Sequence, residues 1–272
     1  MPELPEVETV KETLKTQVIG KIVEEVYIYH NNVIEYPTTD EFKEKIMNEK
    51  IINIERRGKW LMFELENYYL LSHLRMEGKY YIRENEEPKM LHELVKFTFQ
   101  DGTSLRYHDT RKFGKMHLIE KEKVFDIRPL NELGLEPWDK ELTEKYLEEK
   151  YHGKKLPIKT TLLDQGIITG IGNIYADEIL FLSCIHPLKP CSSLTKKERE
   201  NIITNTRKVL EHAIKLGGTT IRTFESSEGV HGLFQNELYV HGQKECPKCS
   251  SEILKIKVGG RGTYYCSKCQ KK

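Results

Sequence analysis

Two cysteine pairs near the C-terminus, Cys246-Pro-Lys-Cys249 and Cys266-Ser-Lys-Cys269, constrain this chain more than any other feature. Sixteen residues separate them. Each C-x2-C pair can place two thiolates on one ion, and the spacing is that of a two-knuckle zinc site. Cysteine fills all four positions and leaves none for water, so one structural zinc is expected. Between the pairs, Ile253 to Ile256 and Thr263 to Tyr265 have the composition of a β-hairpin around Gly259-Gly260. A hairpin this small cannot build a core of its own and needs the metal as a brace. Disulfides or a redox pair set are the alternative. The opening Met-Pro-Glu-Leu-Pro-Glu-Val-Glu lacks the basic start and apolar stretch of a signal peptide, which favours the reducing cytoplasm and thiolates. Cys184 and Cys191 read as ordinary thiols.

The finger is also where charge gathers. The chain as a whole carries +1, but Lys244 to Lys272 holds eight Lys/Arg against Glu245 and Glu252. A basic tail on a neutral chain suggests a local polyanion site, and Lys255, Lys257 and Arg261 put it on the hairpin. Arg261 lies between glycines, which let a phosphate come close while the guanidinium forks onto it. At 272 residues the chain has room for roughly two domains of about 150 residues. No apolar run approaches the roughly 20 residues of a membrane helix, so no membrane partner is expected.

Apolar residues Leu4, Val7, Val10, Leu14 and Val18 step by three or four, the stripe of one amphipathic helix closed near Gly20, with Pro5 in its first turn. Ile22 to Ile28, Ile51 to Leu65, Tyr69 to Arg75 and the alternation Val95, Phe97, Phe99 then read as an antiparallel sheet assembly. The stretch Leu130 to Asp139, with Pro129 before it and Pro137 inside it, reads as a connector. Beyond it, Thr161 to Gln165 and Tyr175 to Ser183 look helical, and two glycines before Asn173 suggest a tight turn feeding a helix start. Thr195 with Glu198 forms a capping box for a long helix that Gly217-Gly218 ends.

At the other end, removal of Met1 would expose Pro2 as a secondary amine. Such a group titrates near about 8, so part of it is unprotonated at neutral pH and can attack an electrophilic carbon. Glu3 and Glu6, three apart on a helix, can face the same side and serve that amine. A Met-Pro start alone is common and says little.

Pro2-Glu3-Leu4-Pro5-Glu6-Val7-Glu8, Ser72-His73-Leu74-Arg75-Met76-Glu77-Gly78, His108-Asp109-Thr110-Arg111-Lys112-Phe113-Gly114, Leu162-Leu163-Asp164-Gln165, Gly170-Ile171-Gly172-Asn173-Ile174-Tyr175-Ala176-Asp177-Glu178 and the four terminal cysteines stand in one order along the chain. Together they closely resemble the bacterial formamidopyrimidine-DNA glycosylase family, from Pro2 to Cys269. The resemblance implies an α+β multi-domain chain. Residues 1–130 would form a β-sandwich with an N-terminal helix, 131–239 a helix-two-turn-helix domain and 240–272 a zinc-finger hairpin, with damaged double-stranded DNA in the cleft between lobes. A monomer is expected on the same ground.

By that resemblance Pro2 attacks C1′ of a nucleotide carrying an oxidised purine, such as 8-oxoguanine or a formamidopyrimidine. The base leaves, and the resulting Schiff base breaks the strand by β- and then δ-elimination. Glu3 would be the general acid/base and Glu6 a support for the N-terminal site. Lys59 would contact a phosphate near the reacting sugar, and Asn173 and Arg261 would be the main grips on the lesion's phosphates. Met76, Arg111 and Phe113 would fill the gap left by an extruded nucleotide, which otherwise costs a few kcal/mol. His73 and Tyr239 complete the expected DNA contacts. Lys155 and the 217–229 stretch, with Thr219, Thr220 and Arg222, would surround the extruded base. After Tyr239 the chain reads Val240-His241-Gly242, where the family often has an aromatic residue.

Two other readings stand beside this one. An endonuclease VIII-like enzyme for oxidised pyrimidines shares the architecture, but usually carries Gly where this chain has Leu4, and the Met76, Arg111 and Phe113 arrangement resembles the purine enzyme's. A zinc-finger DNA-binding protein without chemistry would need only the basic finger, and leaves Pro2, Glu3, Glu6 and Lys59 without a role.

Overall fold

A computed structural model describes residues 2–219 and 232–272. They fall into two compact units. One holds residues up to Asn131 together with Thr219 and Gly232, and the other holds Glu132–Gly218 and Leu233–Lys272.

The first unit opens with helix α1 (Leu4–Val18), whose buried stripe is the one the three-and-four spacing predicts: Leu4, Val7, Val10, Leu14 and Val18. Nine strands follow: β1 (Val23–Ile28), β2 (Ile34–Tyr36), β3 (Asn53–Arg57), β4 (Trp60–Glu64), β5 (Tyr68–His73), β6 (Lys79–Glu84), β7 (Glu93–Phe99), β8 (Thr103–His108) and β9 (Lys115–Glu120). Helix α2 (Thr39–Ile46) lies between β2 and β3. The strands form a four-stranded sheet in the order β1-β7-β8-β6 and a five-stranded sheet in the order β2-β9-β5-β4-β3. Pairing is antiparallel except between β2 and β9. One core of buried side chains joins both sheets and α1, drawing Phe97 and Leu105 from the first, Phe63 and Leu70 from the second, and Val7 and Leu14 from the helix.

Sequence periodicity treats Ile51 to Leu65 as one extended run, but the structure folds it into a hairpin. Arg57 pairs with Trp60 across a two-residue turn made possible by Gly58 at φ +59. That turn presents Lys59.

In the second unit come helices α3 (Glu144–Tyr151), α4 (Ile158–Leu162), α5 (Asn173–Leu182) and α6 (Lys196–Lys215), then a hairpin of β10 (Leu254–Val258) and β11 (Arg261–Tyr265). The expected Thr195–Glu198 box caps α6: the Thr195 hydroxyl accepts the Glu198 N–H at 3.2 Å, and Glu198 accepts the Thr195 N–H at 2.9 Å. Helix α4 sits earlier than the sequence suggests and ends at Leu162. The reason is Gln165, which serves the turn instead of a helix: its amide donates to the carbonyls of Leu163 and Ile171, and its oxygen accepts the Gly170 N–H. The finger completes its small core with a neighbour's side chain, since Phe181 of α5 packs with Val240, Cys246, Ile253 and Cys266. No helix among the described residues is long and apolar enough to cross a membrane.

Candidate active site and nucleic-acid interface

A chain terminus frays unless something holds it. Here Pro2 and Glu3 are buried at the start of α1. The Glu3 N–H donates to Glu6 Oε2 at 2.8 Å. The other oxygen of Glu6 accepts the backbone N–H of Thr219 at 2.8 Å and its hydroxyl at 2.9 Å. A buried carboxylate thus pins the terminal residues to a point 213 residues away. Glu8, farther along α1, accepts Arg56 Nε at 2.7 Å, and Arg56 Nη1 donates to the Gly58 carbonyl at 3.0 Å. The Lys59 turn is therefore fixed to the same helix as the terminus. Lys59 itself is nearly buried, 6% exposed.

His73, paired with Trp60 across β4 and β5, meets that indole edge-on at 4.8 Å. Burial, then the nearby charges of Arg75 and Lys59, press its pKa down to about 3, so the ring is neutral. Its Nδ1 accepts the Arg75 N–H at 2.9 Å, which leaves the proton on Nε2 and makes that nitrogen a donor.

Met76, Arg111 and Phe113 come from two loops and meet. Arg111 Nη1 lies 2.9 Å from Met76 Sδ, and its guanidinium sits 4.9 Å from the centre of the Phe113 ring, which is half exposed. Asp109, fully buried, builds one loop by accepting the N–H groups of Arg111, Phe113 and Gly114, each at 2.9 Å. Glycine seats both loops. A Cβ on Gly114 would lie 1.8 Å from the Tyr107 hydroxyl, and one on Gly78 would lie 2.3 Å from the same atom. An exposed wedge on a rigid, close-packed seat can enter a base stack without rearranging its own support.

The second unit holds the remaining candidates. Arg261 is exposed at the first position of β11, after Gly259 and Gly260 at φ +54 and +80. Asn173 opens α5, and its Nδ2 donates to the Gly262 carbonyl at 3.0 Å. Its Oδ1 is buried with no hydrogen-bond partner among the described residues. Lys155 is exposed on the α3–α4 loop, and Tyr239 stacks on Phe181 with ring centres 5.7 Å apart. Thr220 and Arg222 lie outside the described residues.

The four cysteine sulfurs lie within 4.8 Å of one another, with Cys246 and Cys269 3.8 Å apart and Cys249 and Cys266 3.5 Å apart. Tetrahedral zinc with Zn–S bonds of about 2.3 Å sets its sulfurs about 3.8 Å apart. Cys246, Cys249, Cys266 and Cys269 fit one structural zinc, whose bound role is to close the finger.

Several residues that build these sites escape a reading of sequence. Lys159 and Asp177, both fully buried, form an ion pair at 2.6 Å. Glu178, also fully buried, accepts the N–H groups of Tyr239, Val240 and His241 at 2.7, 3.1 and 2.9 Å, while burial pushes its pKa up. The available signal was two adjacent acids inside the otherwise apolar Asn173–Leu182 segment, where an unpartnered charge would be costly.

Residues 1–116 match the formamidopyrimidine-DNA glycosylase N-terminal domain, 133–225 the formamidopyrimidine-DNA glycosylase H2TH domain, and 243–272 a zinc finger found in FPG and IleRS. A formamidopyrimidine-DNA glycosylase of Oceanobacillus iheyensis is 48% identical over 99% of this chain and 98% of its own length. A Lactococcus lactis Fpg variant in complex with Fapy-dG-containing DNA superposes with a TM-score of 0.93 at 38% identity, over 100% of both chains. The Lactococcus lactis Fpg bound to DNA with an abasic site gives the same TM-score and identity, over 99% of this chain and 100% of that one.

Proposed function

The chain belongs to the formamidopyrimidine-DNA glycosylase family, and from that premise we propose that Pro2, freed by removal of Met1, is the nucleophile with which this enzyme excises oxidised purines from DNA. The enzyme is a glycosylase and AP lyase of base-excision repair, and damaged DNA is its substrate. The observation that carries the nucleophile assignment is the pinned terminus: Glu6 spends three hydrogen bonds holding Glu3 and Thr219 in place. A terminal amine that reacts must be held at its target, whereas a terminus without work has no use for such a lock.

In the proposed sequence the Pro2 nitrogen bonds to C1′ and the bond from C1′ to the base breaks, the base leaving with a proton. Ring opening, assisted by Glu3 as acid/base, gives an iminium at C1′. The iminium acidifies C2′, so loss of that proton expels the 3′ phosphate, and a second elimination expels the 5′ phosphate. Lys59 and His73 Nε2 are the proposed donors to backbone phosphates in the first unit, and Asn173, Arg261, Tyr239 and Lys155 the proposed contacts in the second. Met76, Arg111 and Phe113 fill the vacated place in the stack, with Arg111 donating to the orphaned base. The zinc is structural and takes no part in bond making. We further propose a monomer in a reducing cytoplasm, divided as 1–130, 131–239 and 240–272.

The test is the product. An end-labelled duplex with 8-oxoguanine opposite cytosine should yield a one-nucleotide gap flanked by phosphates. Binding without cleavage would refute the catalytic reading in favour of a DNA-binding protein.

A further inference from the structure

We propose that Asp177 is a positioning residue for this reaction, holding the Arg261 hairpin and the Asn173 helix start in one fixed register, so that the two phosphate grips act as a single unit. The inference rests on the reading of Arg261 and Asn173 as phosphate contacts.

Three parts of the unit meet at the Asp177 carboxylate. Oδ1 pairs with Lys159 of α4 at 2.6 Å. Oδ2 accepts the Tyr264 N–H of β11 at 3.1 Å and lies 2.7 Å from His241 Nδ1, in the segment leading to the finger. Lys159 also donates to the Gly262 carbonyl at 3.2 Å, the acceptor that Asn173 Nδ2 reaches at 3.0 Å. Gly262 follows Arg261 directly. Asp177 stands four residues after Asn173, on the same side of α5. Thus the backbone just after Arg261, at the Gly262 carbonyl and the Tyr264 N–H, is fastened to the helix that carries Asn173, and each fastening passes through Asp177, Lys159 or Asn173 itself. The ring of His241 also stands edge-on to Tyr264 at 4.8 Å, which braces the same strand.

The other anchors of this hairpin, Phe181 against Cys246, Ile253 and Cys266, His186 against Tyr265 and Gln270 on the Ile185 carbonyl, lie toward the cysteine end. The zinc fixes the far end of the two strands, where the cysteines are. Asp177 fixes the end that bears Arg261.

The experiment is a double-mutant cycle in the zinc-loaded full chain, using a duplex with a tetrahydrofuran abasic analogue that cannot be turned over. Arg261→Ala should weaken binding roughly tenfold or more and lower the slope of log K against log salt by about 0.9, the loss of one phosphate contact. Asp177→Asn, with zinc content and melting measured alongside, should reproduce both effects, and the double variant should be no worse than either single one. Single-turnover excision should fall in both, beyond what saturating DNA restores. Because Asp177→Asn leaves Lys159 buried without its partner, His241→Phe supplies a second arm. It keeps the ring against Tyr264, removes only the hydrogen bond, and should show part of the same slope change. Losses in Asp177→Asn that multiply with those of Arg261→Ala, or a His241→Phe variant with the wild-type slope, would overturn the proposal. An Arg261→Ala variant indistinguishable from wild type would instead overturn the phosphate reading, and this proposal with it.

Discussion

Gly114→Ala adds a single methyl group behind the Arg111 and Phe113 loop and tests whether the wedge depends on its seat. Its Cβ would sit 1.8 Å from the Tyr107 hydroxyl and 2.7 Å from Cζ, where ordinary contacts begin at 3.4 Å. The shortfall is about 1.6 Å. Gly114 does not sit at positive φ, so the conflict is steric and not conformational. Tyr107 cannot yield easily, because it is fully buried and meets Tyr80 at 5.1 Å between ring centres. The loop must move instead, and it carries Phe113 with it. Overpacking of this kind costs about 1 to 3 kcal/mol of stability. A displacement near an ångström at a positioning side chain lowers rate about a hundredfold. Excision of 8-oxoguanine should therefore fall by about that factor, while cleavage at a pre-formed abasic site, where no base has to be expelled, should fall less. Tyr107→Phe provides the control. Among the described residues the buried Tyr107 hydroxyl makes no hydrogen bond of ordinary geometry, although the Asp109 carboxylate acts on it, so removing it should cost little alone and should restore part of the activity in the double variant. A Gly114→Ala enzyme with wild-type excision and melting temperature, or one that Tyr107→Phe leaves unimproved, would refute the seat as described.

Two further outcomes follow from the same structure. Burial holds His73 at a pKa of about 3 and His117 at about 4, below the 6.5 of a free imidazole. The unfolded chain therefore takes up protons that the folded chain refuses, and the stability contributed above about pH 6.5 is lost as pH falls toward 4, by about 1 to 1.5 kcal/mol from pH 7 to 6 and about 2 to 2.5 kcal/mol from pH 6 to 5 for the pair. Urea melts at pH 7, 6 and 5 should show this slope and His117→Phe should roughly halve it, whereas a pH-independent midpoint would contradict the buried neutral rings. Cys249→Ser should release zinc, loosen the finger and weaken DNA binding while the unit holding α1 and the two sheets melts as before. Full DNA affinity in that variant, or after chelation, would rule out the finger as part of the interface.

What sequence reveals here is what local rules decide. The stripe of α1 and the Thr195–Glu198 cap of α6 depend on residues within a turn or two, and both are where periodicity and capping place them. The four cysteines announce their metal by spacing alone. The turn at Gly58-Lys59 was hidden inside a run of good strand formers, because a glycine in such a run does not say whether the chain bends. Helix α4 lies earlier than local propensity suggests, because Gln165, a good helix former, bonds Gly170 and Ile171 through its side chain instead. The rest depends on contacts between distant positions. Nothing local tells that Glu6 meets Thr219, that Tyr107 supports both Gly78 and Gly114, or that Lys159 and Asp177 neutralise each other. Of the candidate site, the proposed reacting groups are legible as residue types in sequence, and the groups that hold them are not.

The central claim is that Pro2 makes a covalent bond to the damaged nucleotide. Borohydride reduction during turnover of an 8-oxoguanine duplex converts the iminium into a stable amine that links protein to DNA. With Met1 removal confirmed by mass spectrometry, the account predicts a trapped complex whose peptide map places the adduct on Pro2 and which disappears in Pro2→Gly, with DNA affinity retained. An adduct on a lysine, or trapping undiminished in Pro2→Gly, would contradict it.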